Sequence, residues 1–309
     1  MIILDDRTVD ESEIDHLGHM SVRFYARRAL RAAEALLDRA GLSSPDLKSK
    51  RLKVVLKDAF NHFFNEQHLG AHLAAMGGWM EHGPRPRAYI ELVNQDDGAR
   101  AASFLVEPAL VAAETPHRLT APTLAAPDQL VAVPDYALPR SISLAPPELD
   151  IDITRLEALA AGWAMPHGLG EAVVPADACD EHGLLNVATS QDASFVVIDL
   201  VGQTHGHMIE AEGSAPFGWA MLEQRQHLLG VPRVGERVRT VSVQTRIGDK
   251  TLLSRRWTYN AATRELYGMI DGISLAFDPV RRKSMTIPDQ VRAELQAQCF
   301  PELMAFRAG

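Results

Sequence analysis

The sequence predicts an α+β protein built from two copies of one unit, each a helix followed by an antiparallel meander. Three observations predict this. The chain keeps one register when laid on itself, each copy passes from helical to strand-like periodicity in the same order, and a proline-rich stretch separates the copies. In the register, Asp15-His16-Leu17-Gly18-His19-Met20-Ser21-Val22 falls on Asp180-Glu181-His182-Gly183-Leu184-Leu185-Asn186-Val187, an offset of 180 − 15 = 165. The same offset carries Gly70 onto Gly235, His82-Gly83-Pro84 onto Ile247-Gly248-Asp249, and Asp96-Asp97-Gly98 onto Ala261-Ala262-Thr263.

In each copy a short strand precedes a loop, and the loop opens a helix. The first helix is expected over about 21–40, where Phe24, Ala29, Ala32, Ala33, Leu36 and Leu37 recur at helical spacing. Arg23, Arg27, Arg28 and Arg31 are assigned to its outer surface. The second helix, about 187–203, contains Phe195-Val196-Val197-Ile198 and is expected to be buried nearly all round. Four strand-like runs follow each helix, at about 51–64, 69–81, 86–94 and 100–107, then at about 215–229, 235–246, 251–259 and 265–277. Turn residues such as Asp97-Gly98 and Gly248-Asp249 reverse the chain between them, which implies antiparallel pairing. The boundaries implied are 1–108 and 166–280 for the units, 109–165 for a proline-rich linker running over the surface, and 281–309 for a tail with a helix near 288–299.

Composition narrows the function. The chain has 309 residues, 46% hydrophobic and 23% charged, a globular mix long enough for two domains. The net charge of −9 is spread along the chain and argues against nucleic acid, which needs a dense basic face. It does not argue against coenzyme A, since a few local arginines hold phosphates. Two distant cysteines, Cys179 and Cys299, exclude a disulfide framework. An acidic N-terminus without a signal-like apolar run, and no stretch long enough to span a bilayer, predict a cytoplasmic protein with no membrane partner. No Gly-x-Ser-x-Gly elbow, phosphate loop or dinucleotide fingerprint occurs. His205-Gly206-His207 has no acidic or cysteine partner at ligand spacing, so neither a metal nor any other cofactor is expected.

A strand, then Asp15-His16-Leu17-Gly18-His19-Met20, then a helix with Phe24-Tyr25 near its start, then a four-strand meander resembles the hotdog-fold thioesterases of the 4-hydroxybenzoyl-CoA thioesterase type. Phe64-Asn65-Glu66-Gln67-His68-Leu69-Gly70 is similar to that family's glutamate-then-glycine stretch on the next strand. Two fused units also resemble plant acyl-carrier thioesterases and some dehydratases. The resemblance implies a tandem (double) hotdog fold, each sheet wrapped around a central helix and the two units paired, with active sites between them. Pairing also removes open sheet edges.

By this resemblance Asp15 acts as general base or nucleophile; read from the residues alone, it equally serves as a turn or helix cap. Gly18, His19, Met20 and Ser21 stand where the first helix begins, so their amides are candidates for holding a thioester oxyanion. His19 is a candidate hydrogen-bond donor. Glu66 is a candidate for orienting water or pairing with His19 or His62. Phe24 is a candidate substrate contact, and Phe195, Phe217, Trp219 and Trp257 are core or acyl-tunnel walls. In the second copy Asp180 and Gly183 remain, but Leu184 replaces the histidine and Val231 falls at 66 + 165, in place of the glutamate. One working site is therefore expected, with Asn186 keeping some polarity at the other.

The expected activity is hydrolysis of an acyl thioester of coenzyme A or an acyl-carrier protein. The competing readings are a double-hotdog hydratase or dehydratase, disfavoured by the lack of an Asp-x-Asn-x-x-His segment, and a non-catalytic acyl-CoA-binding protein. A homodimer of double units is a further expectation.

Overall fold

A computed structural model describes residues 1–15, 18–81, 85–124, 130–147, 149, 151–162, 168–200 and 217–303. The turn at 82–84 and the His205-Gly206-His207 segment lie outside these described residues.

The first half begins with β1 (Ile2–Thr8) and a capping box at Asp10 and Glu13, which leads into the loop before α1 (Val22–Arg39). Ala29, Ala32, Ala33, Leu36 and Leu37 of α1 are fully buried, and the small alanines let the helix axis approach the sheet closely. Arg28 is not on the outer surface. It lies on the buried stripe, three residues after Tyr25 and four before Ala32, with Nη2 donating to Glu13 Oε2 at 2.5 Å and Nη1 to the Arg7 carbonyl at 3.0 Å. Arg27 reaches Asp192 Oδ1 at 3.1 Å, and Arg23 stacks over Phe24 and Phe195. These arginines join the halves of the molecule.

A short helix, α2 (Ser44–Ser49), leads to β2 (Leu52–Phe63), β3 (His72–Glu81), β4 (Arg87–Asn94) and β5 (Arg100–Ala112). β2 ends at Phe63, so Glu66 stands in the loop after the strand rather than within it. The segment expected as a linker is partly built into the sheet. β5 runs past Pro108 to Ala112 and turns into β6 (Thr115–Thr120). Pro108 is tolerated because it pairs beside a bulge, the register shifting between Leu56 and Asp58 opposite it. Farther on, α3 (Ile153–Ala160) packs Leu156 and Ala160 against Val241 and Val243.

The second half repeats the order with β7 (Leu169–Val173), α4 (Ser190–Leu200), β8 (Gly218–Leu228), β9 (Arg237–Ile247), β10 (Thr251–Asn260) and β11 (Leu266–Asp278). A two-residue β12 (Lys283–Ser284) and α5 (Asp289–Gln296) follow. Ala193, Val197 and Ile198 of α4 are buried, as an apolar central helix requires.

All described strands join one antiparallel sheet in the order β1-β3-β4-β5-β2-β8-β11-β10-β9-β7, with β6 on β5 and β12 on β11. The second half is the first reversed, and β2 against β8 is the seam. The bulge in β2 leaves Lys57 unpaired and that in β8 leaves Leu222, positions separated by 222 − 57 = 165. At the seam Phe60 pairs with Arg225, again 165 apart, so the local twofold passes through this pair. Arg225 Nε and Nη2 donate to Asp58 at 3.0 and 2.5 Å, and His227 Nδ1 lies 3.6 Å from the same carboxylate. Burial pushes the Asp58 pKa up, but the adjacent His227 and the hydrogen-bonded Arg225 guanidinium outweigh it and hold it well below the usual carboxylate range.

Candidate active site

The loop from Ile14 to Ser21 is a tight reversal: Asp15 N–H donates to the His19 carbonyl at 2.9 Å and Gly18 N–H to the Asp15 carbonyl at 3.0 Å. Gly18 has φ +83°, a conformation that favours glycine, and its carbonyl meets His68 Nδ1 at 3.1 Å. Gly18 therefore shapes the loop and is not part of the cavity wall described next. His16 and Leu17 lie outside the described residues.

The reversal brings His19 back over Asp15. His19 Nδ1 lies 3.3 Å from Asp15 Oδ2, and Nε2 lies 3.7 Å from Glu66 Oε1. The first distance is within hydrogen-bond reach; the second suits an ion pair or a bridging water. Glu66 Oε2 in turn is ion-paired with Arg282, between β11 and β12. Four side chains thus form a row from one half of the molecule to the other: Arg282, Glu66, His19, Asp15. Sequence reading brought three of them to notice. Arg282 was missed, because 282 − 66 = 216 residues separate it from its partner and no local pattern marks it. Its φ of +56°, rare for arginine, sets the turn that aims it.

The row lines a cavity of about 440 Å³. One side comes from Asp15, His19, Met20, Ser21, Val22, Tyr25 and Glu66, the other from Trp219, Met221, Leu222, Ser274 and Phe277 of β8 and β11, with Phe195 of α4. Phe24 is not among the lining residues. One helical step of about 100° turns it toward Arg23 and Arg27, and Tyr25 faces the cavity, its ring edge-on to Phe63 at 5.5 Å. Burial raises the Tyr25 hydroxyl pKa above its ordinary value.

The expected oxyanion amides are largely engaged. Met20 N–H donates to the Gln67 carbonyl at 2.7 Å and Ser21 N–H to the Glu13 carbonyl at 2.9 Å, beside the Gly18 bond already described. Val22, the first helical residue, lines the cavity, and its N–H has no acceptor among the described residues. The His19 N–H likewise has no acceptor among the described residues, so two amides beside the cavity are open to a developing negative charge, that of Val22 with the α1 dipole behind it.

The counterpart loop in the second half is built differently. Asp180 accepts from the His182 and Leu184 amides, both at 3.0 Å, as a turn-capping aspartate does. Lys53 Nζ fills the space beside it, donating to Asp180 Oδ2 at 3.1 Å and Asn186 Oδ1 at 3.1 Å. Asn186 thus belongs to this second cavity, of about 250 Å³, and not to the first. Burial opposes ionisation of Asp180, but the Leu184 amide and Lys53 keep its pKa below the ordinary value. At Lys53 + 165 the other side has Gly218, which has no side chain to occupy the Asp15 cavity. Val231, at the glutamate position, is fully buried in the apolar cluster under α4.

Among the described residues no group of three His, Cys, Asp or Glu side chains is placed to hold a metal ion, and no helix is long and apolar enough to cross a membrane.

No family model and no curated protein matches the sequence. Solved structures match over nearly the whole length. A protein of Lactobacillus plantarum described as an oleoyl thioesterase matches with TM-score 0.61 and 12% identity, over 92% of this chain and 96% of its own. A 12:0-ACP thioesterase from Umbellularia californica matches with TM-score 0.60 and 10% identity, over 88% and 93%. An acyl-ACP thioesterase from Bacteroides thetaiotaomicron matches with TM-score 0.57 and 9% identity, over 87% and 96%. At such identities the likeness is one of fold, and by that likeness the chain is a tandem hotdog protein.

Proposed function

We propose that the protein hydrolyses an acyl thioester at the cavity between its halves, with Asp15 as general base. The observation that carries this reading is the row Arg282–Glu66–His19–Asp15, which ends in a carboxylate on the wall of an apolar-walled cavity beside the Val22 amide. The fold it shares with proteins described as oleoyl and acyl-ACP thioesterases supports it.

The residues divide the work as follows. His19, gripped between two carboxylates, fixes the position of Asp15; Arg282 fixes Glu66. Water held by Asp15 gives up a proton to the carboxylate as its oxygen attacks the thioester carbon. The carbonyl oxygen becomes an oxyanion that accepts a hydrogen bond from Val22 N–H. On collapse the C–S bond breaks, the leaving thiolate takes the proton from Asp15, and the products are a carboxylic acid and a thiol. The carrier is coenzyme A or the phosphopantetheine of an acyl-carrier protein, and Lys283, on the cavity wall beside Arg282, is the cation left to meet its phosphate. The two-unit partition and a soluble cytoplasmic setting belong to the same proposal, and the second cavity, blocked by Lys53, is non-catalytic.

The test is a thiol-release screen over short, long and aromatic acyl-CoAs, run beside an enoyl-CoA absorbance assay. Thiol release that disappears in Asp15→Asn is expected. Loss of enoyl absorbance without thiol release would replace hydrolysis by hydration, and acyl-CoA binding with neither signal would make the protein a non-catalytic binder.

A further inference from the structure

Met221 and Gly272 stand at one end of the Asp15 cavity. Gly268 of β11 faces α4, since a Cβ there would meet Ser190 Cβ at 2.5 Å. Gly272 lies four residues on along the same strand with no bulge between, so it opens to the same face. Its missing side chain leaves a notch, and the end of Met221 lies in it. A Cβ at Gly272 would meet Met221 Cε at 3.3 Å and Sδ at 3.4 Å, with Ser254 Oγ at 3.6 Å. The first half has no such notch. The local twofold relates Gln224, Gly272 and Ser254 to Ala59, Val106 and Ala88, a row of fully buried apolar side chains.

Met221 is itself part of the cavity wall. Among the described residues that wall ends at Leu222 on β8 and at Ser274 on β11, and neither Gln224 nor Gly272, the next pair on this face, belongs to it. In the other direction the wall runs to Phe277 and on to Arg282 and Lys283. Arg282 is tied through Glu66 and His19 to Asp15, which puts the carboxylate row toward that side. From Phe277 to Ser274 is three residues, about 10 Å of strand. An extended chain advances about 1.2 Å per bond, since the three bonds of an extended residue span roughly 3.3–3.6 Å, so about eight bonds fit along this wall. Methionine is unbranched and fills gaps of irregular shape, which suits it to closing such an end.

We propose that Met221, seated over Gly272, is the stop against which the acyl chain ends, and that the substrate class is a compact acyl thioester of about eight carbons or fewer rather than a long-chain fatty acyl thioester. This rests on the hydrolysis reading for its reaction, but not for the binding it predicts. Met221→Ala removes Cγ, Sδ and Cε, opens the notch and lengthens the site by about three carbons. Gly272→Val puts at this position the residue type that the first half has; it fills the notch, drives the end of Met221 into the cavity and shortens the site.

Two measurements test it. Thiol release is compared across straight-chain acyl-CoAs from butyryl to palmitoyl in wild type, Met221→Ala and Gly272→Val. In wild type kcat/KM is expected to rise by about fourfold per carbon to a break near about eight carbons, and to fall by about 10-fold or more by palmitoyl. The break is expected to lie at longer chains in Met221→Ala and at shorter chains in Gly272→Val. The second measurement, which needs no turnover, is the thermal shift with the free acids from butyrate to laurate. The acid that raises the Tm most is expected to change in the same two directions. A general loosening of the fold cannot move the break both ways. A break at one length in all three proteins, a shift in the same direction in both variants, or a wild-type preference for palmitoyl overturns the proposal, and thiol release in those cases leaves the hydrolysis reading standing. A thermal shift whose length dependence follows the two variants, with no thiol released from any thioester, would keep Met221 as the end of the acyl site and reject hydrolysis.

Discussion

Asp15 and Asp180 occupy equivalent loops in opposite circumstances, and exchanging each for asparagine separates a reacting carboxylate from a structural one. Asp180 is fixed by two backbone amides at 3.0 Å and Lys53 at 3.1 Å, with its side chain 15% exposed. Asparagine keeps an oxygen for the amides but loses the charge facing Lys53, a cost of about 1–2 kcal/mol and a Tm lower by about 2–6 °C. Because the folded-state pKa of Asp180 lies below its ordinary value, its contribution is present above the usual carboxylate range and lost as pH falls through the folded pKa. The Tm difference between wild type and Asp180→Asn should therefore be full at pH 7 and shrink in acid, with thiol release unchanged. Asp15→Asn should do the reverse: a fall of about 10²–10⁴ in kcat, about 3–5 kcal/mol in the barrier, with a stability change of about 1 kcal/mol or less. The assays are thiol release under saturating acyl-CoA and thermal melts from pH 3 to 8. Full turnover in Asp15→Asn, or loss of turnover in Asp180→Asn, would refute the assignment of the working site to the first loop.

Other outcomes follow from the same geometry. His19→Gln should lower kcat by about 10²-fold, since the link between Asp15 and Glu66 is broken, with KM little changed. Arg282→Gln should leave the unfolding free energy within about 1 kcal/mol of wild type, because the pair is half-exposed, yet lower kcat by freeing Glu66; an unchanged kcat removes Arg282 from the row. Asp58→Asn strips the buried partner of Arg225 at the seam and should cost about 3–5 kcal/mol by denaturant unfolding. Since the folded pKa of Asp58 is held low, that penalty should be full above the usual carboxylate range and fade only in strong acid.

Much of the architecture was legible in the chain because it depends on local periodicity. The helix expected over 21–40 spans Val22–Arg39, and the run expected over 51–64 spans Leu52–Phe63, since helical and strand spacing and turn glycines act within a few residues. Asp15, His19 and Glu66 were legible for the same reason: a short motif, and a glutamate one strand later. The extension of β5 beyond Pro108 was not, because a bulge in the neighbouring strand is what accommodates the proline. Nor was the burial of Arg28, whose tolerance depends on Glu13 and two carbonyls of the preceding strand and turn.

By itself the sequence determined two copies of a helix-then-meander unit, the order of their elements and the loop in which the carboxylate and histidine sit, and its family resemblance implied the tandem hotdog fold. Only the tertiary structure decided which amides beside the cavity remain without an acceptor among the described residues, that Lys53 fills the second loop, and that Arg282 completes the row. The physical reason is range. Secondary structure follows from interactions between near neighbours in sequence, whereas charge pairing and free space depend on side chains that meet across the seam, well over a hundred residues apart in the chain.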